Sequence, residues 1–272
     1  MHSENSGSAG ALQRIRVVLV EPSHPGNIGG AARALKTMGM ARLLVVNPKR
    51  FPDPQAEWRA AGAQDVLQDT LICDSVEDAI ADCHWVVGTS TRSRRIPWPV
   101  GSVEQIAAQV VGQAAARSDA EIAILFGRET SGLSNEELQL CHAHLQIPAS
   151  AAYPSLNLAM AVQVVCYELH KHAAAVMAGE PVPSPQIGPE SDYWDRPAAT
   201  VEQLEAFYAH LQSVLVDSRF LDPGNPGQTL TRLRRLFTRA RPDETEIQIL
   251  RGVLTQLGAP FKPHAGGTKQ GE

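Results

Sequence analysis

AILFGRETSGLSNEELQ at 123–139 and LQIPASAAYPSLNLAMA at 145–161 decide how this chain is read. Each begins on an apolar run, leaves it through a loop rich in Gly, Ser, Ala or Pro, and enters a helix-like segment, the second at Ser155-Leu156-Asn157. A short apolar run followed by a loop and a helix is the repeating unit of a parallel α/β sheet, whose ligands sit beyond the carboxyl ends of the strands. Such loops offer many main-chain donors and acceptors and almost no nucleophile. They suit a small polar ligand gripped by backbone, and a reaction that needs positioning more than covalent catalysis.

The same alternation extends outward. Ile15–Val20 (IRVVLV) is β-branched and apolar, as a strand buried on both faces should be. The loop 21–27 leads to a helix with apolar positions at Ala31, Ala34, Leu35 and Met38, closed by Gly39 as C-cap. Further strands are expected at Leu43–Val46, His84–Gly88 and Leu145–Pro148, besides Ile122–Phe126. Helices are expected at Val76–Ala81, Ser102–Ala116, Asn135–Cys141 and from Ser155 to about Met177. The fold class is α/β with a mainly parallel sheet over residues 14–178. Residues 1–13, rich in Ser and Gly, read as a disordered arm. Four prolines and two glycines in 179–189 (GEPVPSPQIGP) mark a linker, taken as 179–192. From there the pattern is helical only, a small extension over 193–260 followed by a flexible tail, 261–272. Capping-box signatures at Thr200-x-x-Gln203 and Asp243-x-x-Glu246 open two of its helices. Their stripes are Val201, Leu204, Phe207, Tyr208, Leu211 and Leu215, then Ile247, Leu250, Leu254 and Leu257. Leu230, Leu233 and Phe237 form a third stripe between them.

With 43% hydrophobic and 19% charged residues the composition is that of an ordinary globular protein, and a net charge of −5 excludes a histone-like polyanion binder. Local basic patches remain compatible with nucleic acid. Cys73, Cys83, Cys141 and Cys166 form no Cys-x-x-Cys pair, so reduced, packed thiols are expected rather than disulfides or a zinc ribbon. The N-terminus has no signal-peptide pattern, and no apolar run approaches the ~20 residues of a membrane span. A cytoplasmic protein is expected.

No Gly-x-Gly-x-x-Gly follows the first strand and no P-loop occurs. Asn27-Ile-Gly-Gly-Ala-Ala-Arg33 opens a helix, with Asn27 as candidate cap. The amides of Gly29 and Gly30 either meet an anion there or allow close packing. The pairs His142/His144 and His170/His172 do not share a helix face, and no carboxylate or thiol completes a metal set, so no metal is expected. His24, in the first loop, is the histidine placed to touch a substrate. No serine sits in a nucleophile elbow. Arg92, Arg94 and Arg95 follow a strand end, and Arg232, Arg234, Arg235 and Arg239 lie in the extension without an intervening acid. Either group can be a solvated face. Two of them on an acidic chain point to a polyanion held by local patches.

Three stretches together resemble the motifs of the SPOUT-class RNA 2′-O-methyltransferases of the TrmH-like branch. They are Asn27-x-Gly29-x-x-x-Arg33, then Leu125-Phe-Gly127-Arg-Glu129-x-x-Gly132-Leu133, then Ile147-Pro148 with Ser155-Leu156-Asn157 and Ala161. The resemblance covers residues 15 to about 175, and the extension only in general character. It implies a trefoil knot in the C-terminal part of the α/β domain, a homodimer, and S-adenosylmethionine as methyl donor with no metal. It also implies a tRNA substrate, methylated at the ribose 2′-hydroxyl of nucleotide 32, cytidine or uridine, in the anticodon loop. Carried over residue by residue, the donor would meet Thr89, Ser90, Thr91, Gly127, Ile147, Pro154, Ser155 and Leu156. The catalytic set would be Arg33 with Asn27, Glu129, Ser155 and Asn157, and the two arginine groups would bind RNA. Ala149 departs from the family, which often has Met after Ile-Pro. The family gives the motif-one arginine a base-like role. Because guanidinium stays protonated, Arg33 is better read as an electrostatic and positioning group. Glu129 is either catalytic or a loop-holding acceptor. The alternatives are a ribosomal RNA 2′-O-methyltransferase and a non-catalytic RNA-binding protein.

Overall fold

The computed structural model describes residues 6–90, 99–150, 152, 155–179, 196–197, 199–222, 224 and 227–258. Two compact units divide the chain, Met1–Ile187 and Gly188–Glu272.

The first unit is built on seven strands: β1 (Ile15–Val20), β2 (Arg42–Val46), β3 (Leu71–Cys73), β4 (Trp85–Thr89), β5 (Val100–Ser102), β6 (Ile122–Phe126) and β7 (Ala143–Gln146). All neighbours are parallel, in the order β3-β2-β1-β6-β4-β7-β5. The helices are α1 (Ser6–Gln13), α2 (Pro25–Thr37), α3 (Pro54–Ala60), α4 (Gln64–Gln68), α5 (Val76–Ile80), α6 (Val103–Ala116), α7 (Asn135–Gln139) and α8 (Leu158–Met177).

β1 shows how the layers arise. Its Ile15, Val17 and Leu19 enter a core shared with α2, α3, α4, α6 and α8, while Val18 and Val20 enter another shared with α5 and α7. A strand covered on both faces must be apolar at every position, except where a charge is paired. Arg16 is that exception. It is 4% exposed and donates to Asp82 at 2.7 Å and Glu121 at 2.6 Å, and Glu121 also takes Arg42. Gly29 settles the reading of the α2 glycines: a Cβ there would stand 2.0 Å from the Ala56 carbonyl oxygen of α3, and one on Gly30 would stand 2.8 Å from Ala159 Cβ of α8. These positions are for close packing, not for an anion.

Several expectations need correction. Ser6–Gln13, read as part of a disordered arm, is helical, and Ala11 and Leu12 are buried in the larger core. Composition hid this because two apolar anchors suffice to dock a short helix. β7 begins at Ala143, two residues earlier than expected, since its second residue is His144, buried and therefore unlike a strand residue by hydropathy. α3, α4 and β5 had no counterpart among the elements expected from the sequence.

In the second unit the described residues form α9 (Val201–Asp217), α10 (Thr229–Ala240) and α11 (Glu244–Gly258). Phe207, Tyr208, Ile247 and Leu254 make its core, with Phe237 edge-on to Phe207 at 4.8 Å. The capping box at Thr200/Gln203 is formed. Val201 and Leu257, expected on the buried stripes, are 78% and 70% exposed because each sits in a terminal turn beyond the packed faces. The linker lies outside the described residues from 180 to 192, as does the whole of 261–272.

Candidate functional site

The carboxyl ends of β4, β6 and β7 lie side by side, Gly88 against Leu125 and Thr89 against Leu145. Thr89 Oγ1 donates to the Leu125 carbonyl at 3.0 Å, and the Ser90 N–H to the Leu145 carbonyl at 3.0 Å. The loop after β6 then folds back on itself. Arg128 and Gly132 exchange backbone hydrogen bonds at 3.2 and 2.9 Å, and Gly132 sits at φ +70°. Gly127 is forced by this closure, since a Cβ would fall 2.1 Å from Gly132 C. Ile147 and Leu156 are half-buried, and Ser155 is exposed. Thr91 and Pro154 lie outside the described residues, as do Arg92, Arg94 and Arg95.

Three residues far apart in sequence form one hydrogen-bonded chain. Asn157 Nδ2 donates to Asn27 Oδ1 at 3.0 Å, and Asn27 Nδ2 donates to Glu129 Oε1 at 2.9 Å. Asn157 is fixed as the N-cap of α8, its Oδ1 accepting from Ala159 N and Met160 N. Glu129 gathers further donors from the loop after β1: the Ser23 N–H at 3.1–3.2 Å, the Ser23 hydroxyl at 3.0 Å and the His24 N–H at 3.3 Å. A carboxylate that accepts this many bonds is holding loops. It is poorly placed to act as a base. Burial alone would push its carboxyl up, but the bonds from Asn27 and Ser23 outweigh that and hold it below the usual range.

This has a testable consequence in acid. A depressed folded-state pKa stabilises the fold above the ordinary Glu range (~4.3) and loses that contribution as pH falls through the lowered value. Wild type should therefore be more stable than Glu129→Gln near neutrality, with the difference vanishing toward acid. Urea midpoints of both proteins measured down the acid limb check this, and a difference independent of pH would refute it.

Asn27 is not the helix cap it resembles. His24 caps α2 through Nδ1, which accepts from the Gly26 N–H at 3.1 Å, with Pro25 in the first turn. Freed from capping, the Asn27 amide serves the chain to Glu129. His24 therefore has a structural task, its Nδ1 taken up as an acceptor. Arg33 is exposed, well along α2, and among the described residues its guanidinium meets neither Asn27, Glu129 nor Asn157. Four of the five expected catalytic residues thus lie on the two loops and the helix start, and the fifth stands apart.

Sequence reasoning missed Ser23 and Arg128. Arg128 donates to Glu21 at 3.0 Å through Nε and to both Glu137 oxygens at 2.9 Å, clamping the loop after β6 between the end of β1 and α7. The Glu21 bond, then the Glu137 bonds, push the Arg128 pKa up. The capping box Ser134-x-x-Glu137 was its only visible trace. In the second unit Arg232, Arg235 and Arg239 are exposed on α10. Arg234 differs: its guanidinium is bidentate on Glu205 at 2.5–2.6 Å and lies 4.4 Å from the Tyr208 ring centroid. Among the described residues no group of His, Cys, Asp and Glu is arranged to hold a metal, and no helix is long and apolar enough to cross a membrane.

Comparison with known proteins agrees with this geometry. Residues 14–167 match the model of the SpoU rRNA Methylase family, and residues 202–266 that of the tRNA methyltransferase TrmJ, C-terminal domain. A tRNA (cytidine/uridine-2′-O-)-methyltransferase TrmJ from Cronobacter sakazakii is 48% identical over 246 residues, covering 90% of this chain and 96% of that protein. The protein of the same name from Salmonella typhimurium is 46% identical, covering 90% of this chain and 97% of that one. A probable methylase family protein from Haemophilus influenzae superposes with a TM-score of 0.57 at 38% identity, covering 90% of this chain and 96% of that one. For TrmJ from Z. mobilis the TM-score is 0.54 at 33% identity, with 90% and 99% covered. With a family match over more than half its length and relatives near half-identical across nine-tenths of it, this chain belongs to the SpoU methylase family.

Proposed function

We propose that the protein is an S-adenosylmethionine-dependent tRNA 2′-O-methyltransferase acting on nucleotide 32, cytidine or uridine, of the anticodon loop. The observation that carries this reading is the chain Asn157–Asn27–Glu129, which locks the three family motifs to one another at the carboxyl edge of the sheet. The likeness to the Cronobacter and Salmonella tRNA methyltransferases supports the substrate class.

The residues fit a methyl donor of this kind. Backbone turns at Thr89–Ser90 and 127–132, with the half-buried apolar Ile147 and Leu156, suit an adenosine and its sulfonium-bearing side chain better than a phosphate. When bound, the donor supplies a sulfonium methyl with its leaving group built in, so no nucleophile on the protein is required. The protein's part is to orient the two substrates and exclude water. Thr89, Ser90, Thr91, Gly127, Ile147, Pro154, Ser155 and Leu156 hold the donor. Arg33 stays charged, aligns the acceptor ribose and stabilises negative charge developing on its 2′-oxygen. Glu129 acts through Asn27 and the Ser23–His24 backbone as a positioning residue.

A knotted path is part of this reading. It is supported by the strand order, in which β7 lies between β4 and β5, two strands that precede it in the chain. A homodimer is supported by Met160 and Tyr167, seven apart on the helix that Asn157 caps, which are 58% and 52% exposed. Arg33, standing apart from the other site residues, is then supplied within or across that dimer. The reading places the enzyme in the cytoplasm, where tRNA is modified. Arg92, Arg94 and Arg95, together with Arg232, Arg235 and Arg239, are its RNA contacts. Arg234, also expected there, is engaged by Glu205.

The test is incubation of unmodified tRNA with protein and labelled methyl donor, followed by nucleoside mass spectrometry. Ribose-methylated nucleotide 32 is expected. Label entering only ribosomal RNA, or none entering RNA at all, overturns the reading. Removal of residues 190–272 should weaken tRNA binding and flatten its salt dependence by roughly 0.7–0.9 for each phosphate the extension had neutralised. Unchanged affinity and slope would remove the extension from the RNA-binding surface.

A further inference from the structure

The segment between β2 and α4 contributes nothing to the hydrogen-bonded chain at the site, yet it presents an unusual surface. Trp58 is 72% exposed on α3, and the Arg59 guanidinium carbon lies 5.6 Å from its ring centroid. Exposing a ring of this size forgoes a large apolar gain, so its position asks for a partner.

The ring stands on a rigid base. Asp53 caps α3 by accepting from Gln55 N at 2.9 Å, Pro54 opens the helix, and Ala60 is buried beside Ala56, whose carbonyl abuts Gly29. With Ala56 and Ala60 turned toward α2, Trp58, two residues from each, faces away from it. Arg59 lies at the border. Its Cγ is 3.4 Å from where a Cβ on Gly26 would stand, so its stem runs along the first turn of α2 beside His24. The loop before α3 is tied to the same place, Lys49 N donating to Pro22 O at 3.2 Å. Lys49, Arg50 and Arg59 outnumber Asp53 and Glu57 here, and Asp53 is already paired with Arg50 at 2.8 Å.

We propose that Trp58 and Arg59 form a second RNA subsite on the rim of the active site. An unpaired base flanking the target nucleotide stacks on the Trp58 ring, and Arg59 meets the adjoining phosphate. An exposed aromatic face flanked by guanidinium and fixed on a rigid element is how proteins hold splayed single-stranded bases without reading their sequence. The inference rests on the RNA methyltransferase reading above and adds a substrate contact that the three motifs do not contain.

The test uses the full-length protein and its Trp58→Ala, Trp58→Phe and Arg59→Ala variants. It measures steady-state kinetics on an unmodified tRNA transcript, direct binding of an anticodon stem–loop, donor affinity by calorimetry, and oligomeric state by light scattering. Trp58→Ala should raise the tRNA KM and the stem–loop Kd roughly tenfold, within the range of one base–aromatic stack. kcat, donor affinity and oligomeric state should stay unchanged, and Trp58→Phe should keep most of the affinity. Arg59→Ala should weaken RNA binding and flatten its salt dependence by about 0.7, one single-strand phosphate. Unaltered KM and Kd in both alanine variants overturn the subsite. So does a change of oligomeric state without a change in RNA binding, which marks the patch as a protein contact. If wild type methylates no tRNA, the parent reading fails on that result, and the stem–loop affinities still decide the subsite.

Discussion

Arg33→Ala should lower kcat for tRNA methylation by about two to three orders of magnitude while leaving melting temperature and donor affinity where they were. That loss matches removal of one preorganised group that stabilises developing oxyanion charge. The fold should not notice, because Arg33 is exposed on α2 and makes no ion pair among the described residues. Arg33→Lys keeps a charge but loses the planar fork, so it should fall between the two. A base mechanism predicts a different pattern, with the pH–rate profile changed by the substitution. An electrostatic role leaves the profile's shape intact and lowers it throughout. Full activity in Arg33→Ala would remove this residue from the chemistry, and a lowered melting temperature would reassign it to the fold.

Gly127→Ala should have an effect of similar size by a different route. A Cβ would lie 2.1 Å from Gly132 C and 2.2 Å from Leu133 N, and neither is a side-chain atom that can swing away. The loop is closed by the Arg128–Gly132 pair and clamped by Glu21 and Glu137, so it has to move as a body. Overpacking of this kind costs about 1–3 kcal/mol of stability. Displacing a binding loop by about 1 Å is enough for a hundredfold loss in rate. Donor affinity and kcat/KM should therefore both fall by at least about a hundredfold in a protein that still folds, as circular dichroism would show. A folded Gly127→Ala variant with wild-type donor affinity would exclude this loop from the donor site.

Much of this architecture can be read from residue patterns, and the exceptions have physical causes. β1 and β6 are legible because strands covered on both faces are apolar throughout, and α6 is marked by its Ser102/Gln105 capping box. α4 escapes notice because five residues without a side-chain cap give neither a periodicity nor a start signal, whereas the equally short α5 and α7 open on the caps Ser75 and Ser134. At the site, Gly127, Glu129 and Asn157 stand out by motif. Asn27 looks like a helix cap because Asn is the better capping residue. Pro25 carries the contrary signal, since proline favours the first helical position and so marks residue 24 as the cap. Ser23 and Arg128 could not have been found this way. Their roles depend on which strand ends are neighbours, and β1 next to β6 is a fact of sheet order, not of local sequence.

The bond from Asn157 to Asn27 spans 130 positions of chain, and that fixes when the site can exist. Closing so long a loop carries an entropic penalty that only the packed sheet and helices can repay, so such contacts form late. A nascent chain that has delivered β1, β2, β4, β6 and the loop after it can already pair Asn27 Nδ2 with Glu129, but Asn27 Oδ1 lacks its Asn157 donor until α8 begins. A fragment that ends before residue 157 therefore lacks the closed chain Asn157–Asn27–Glu129 however well its strands pair.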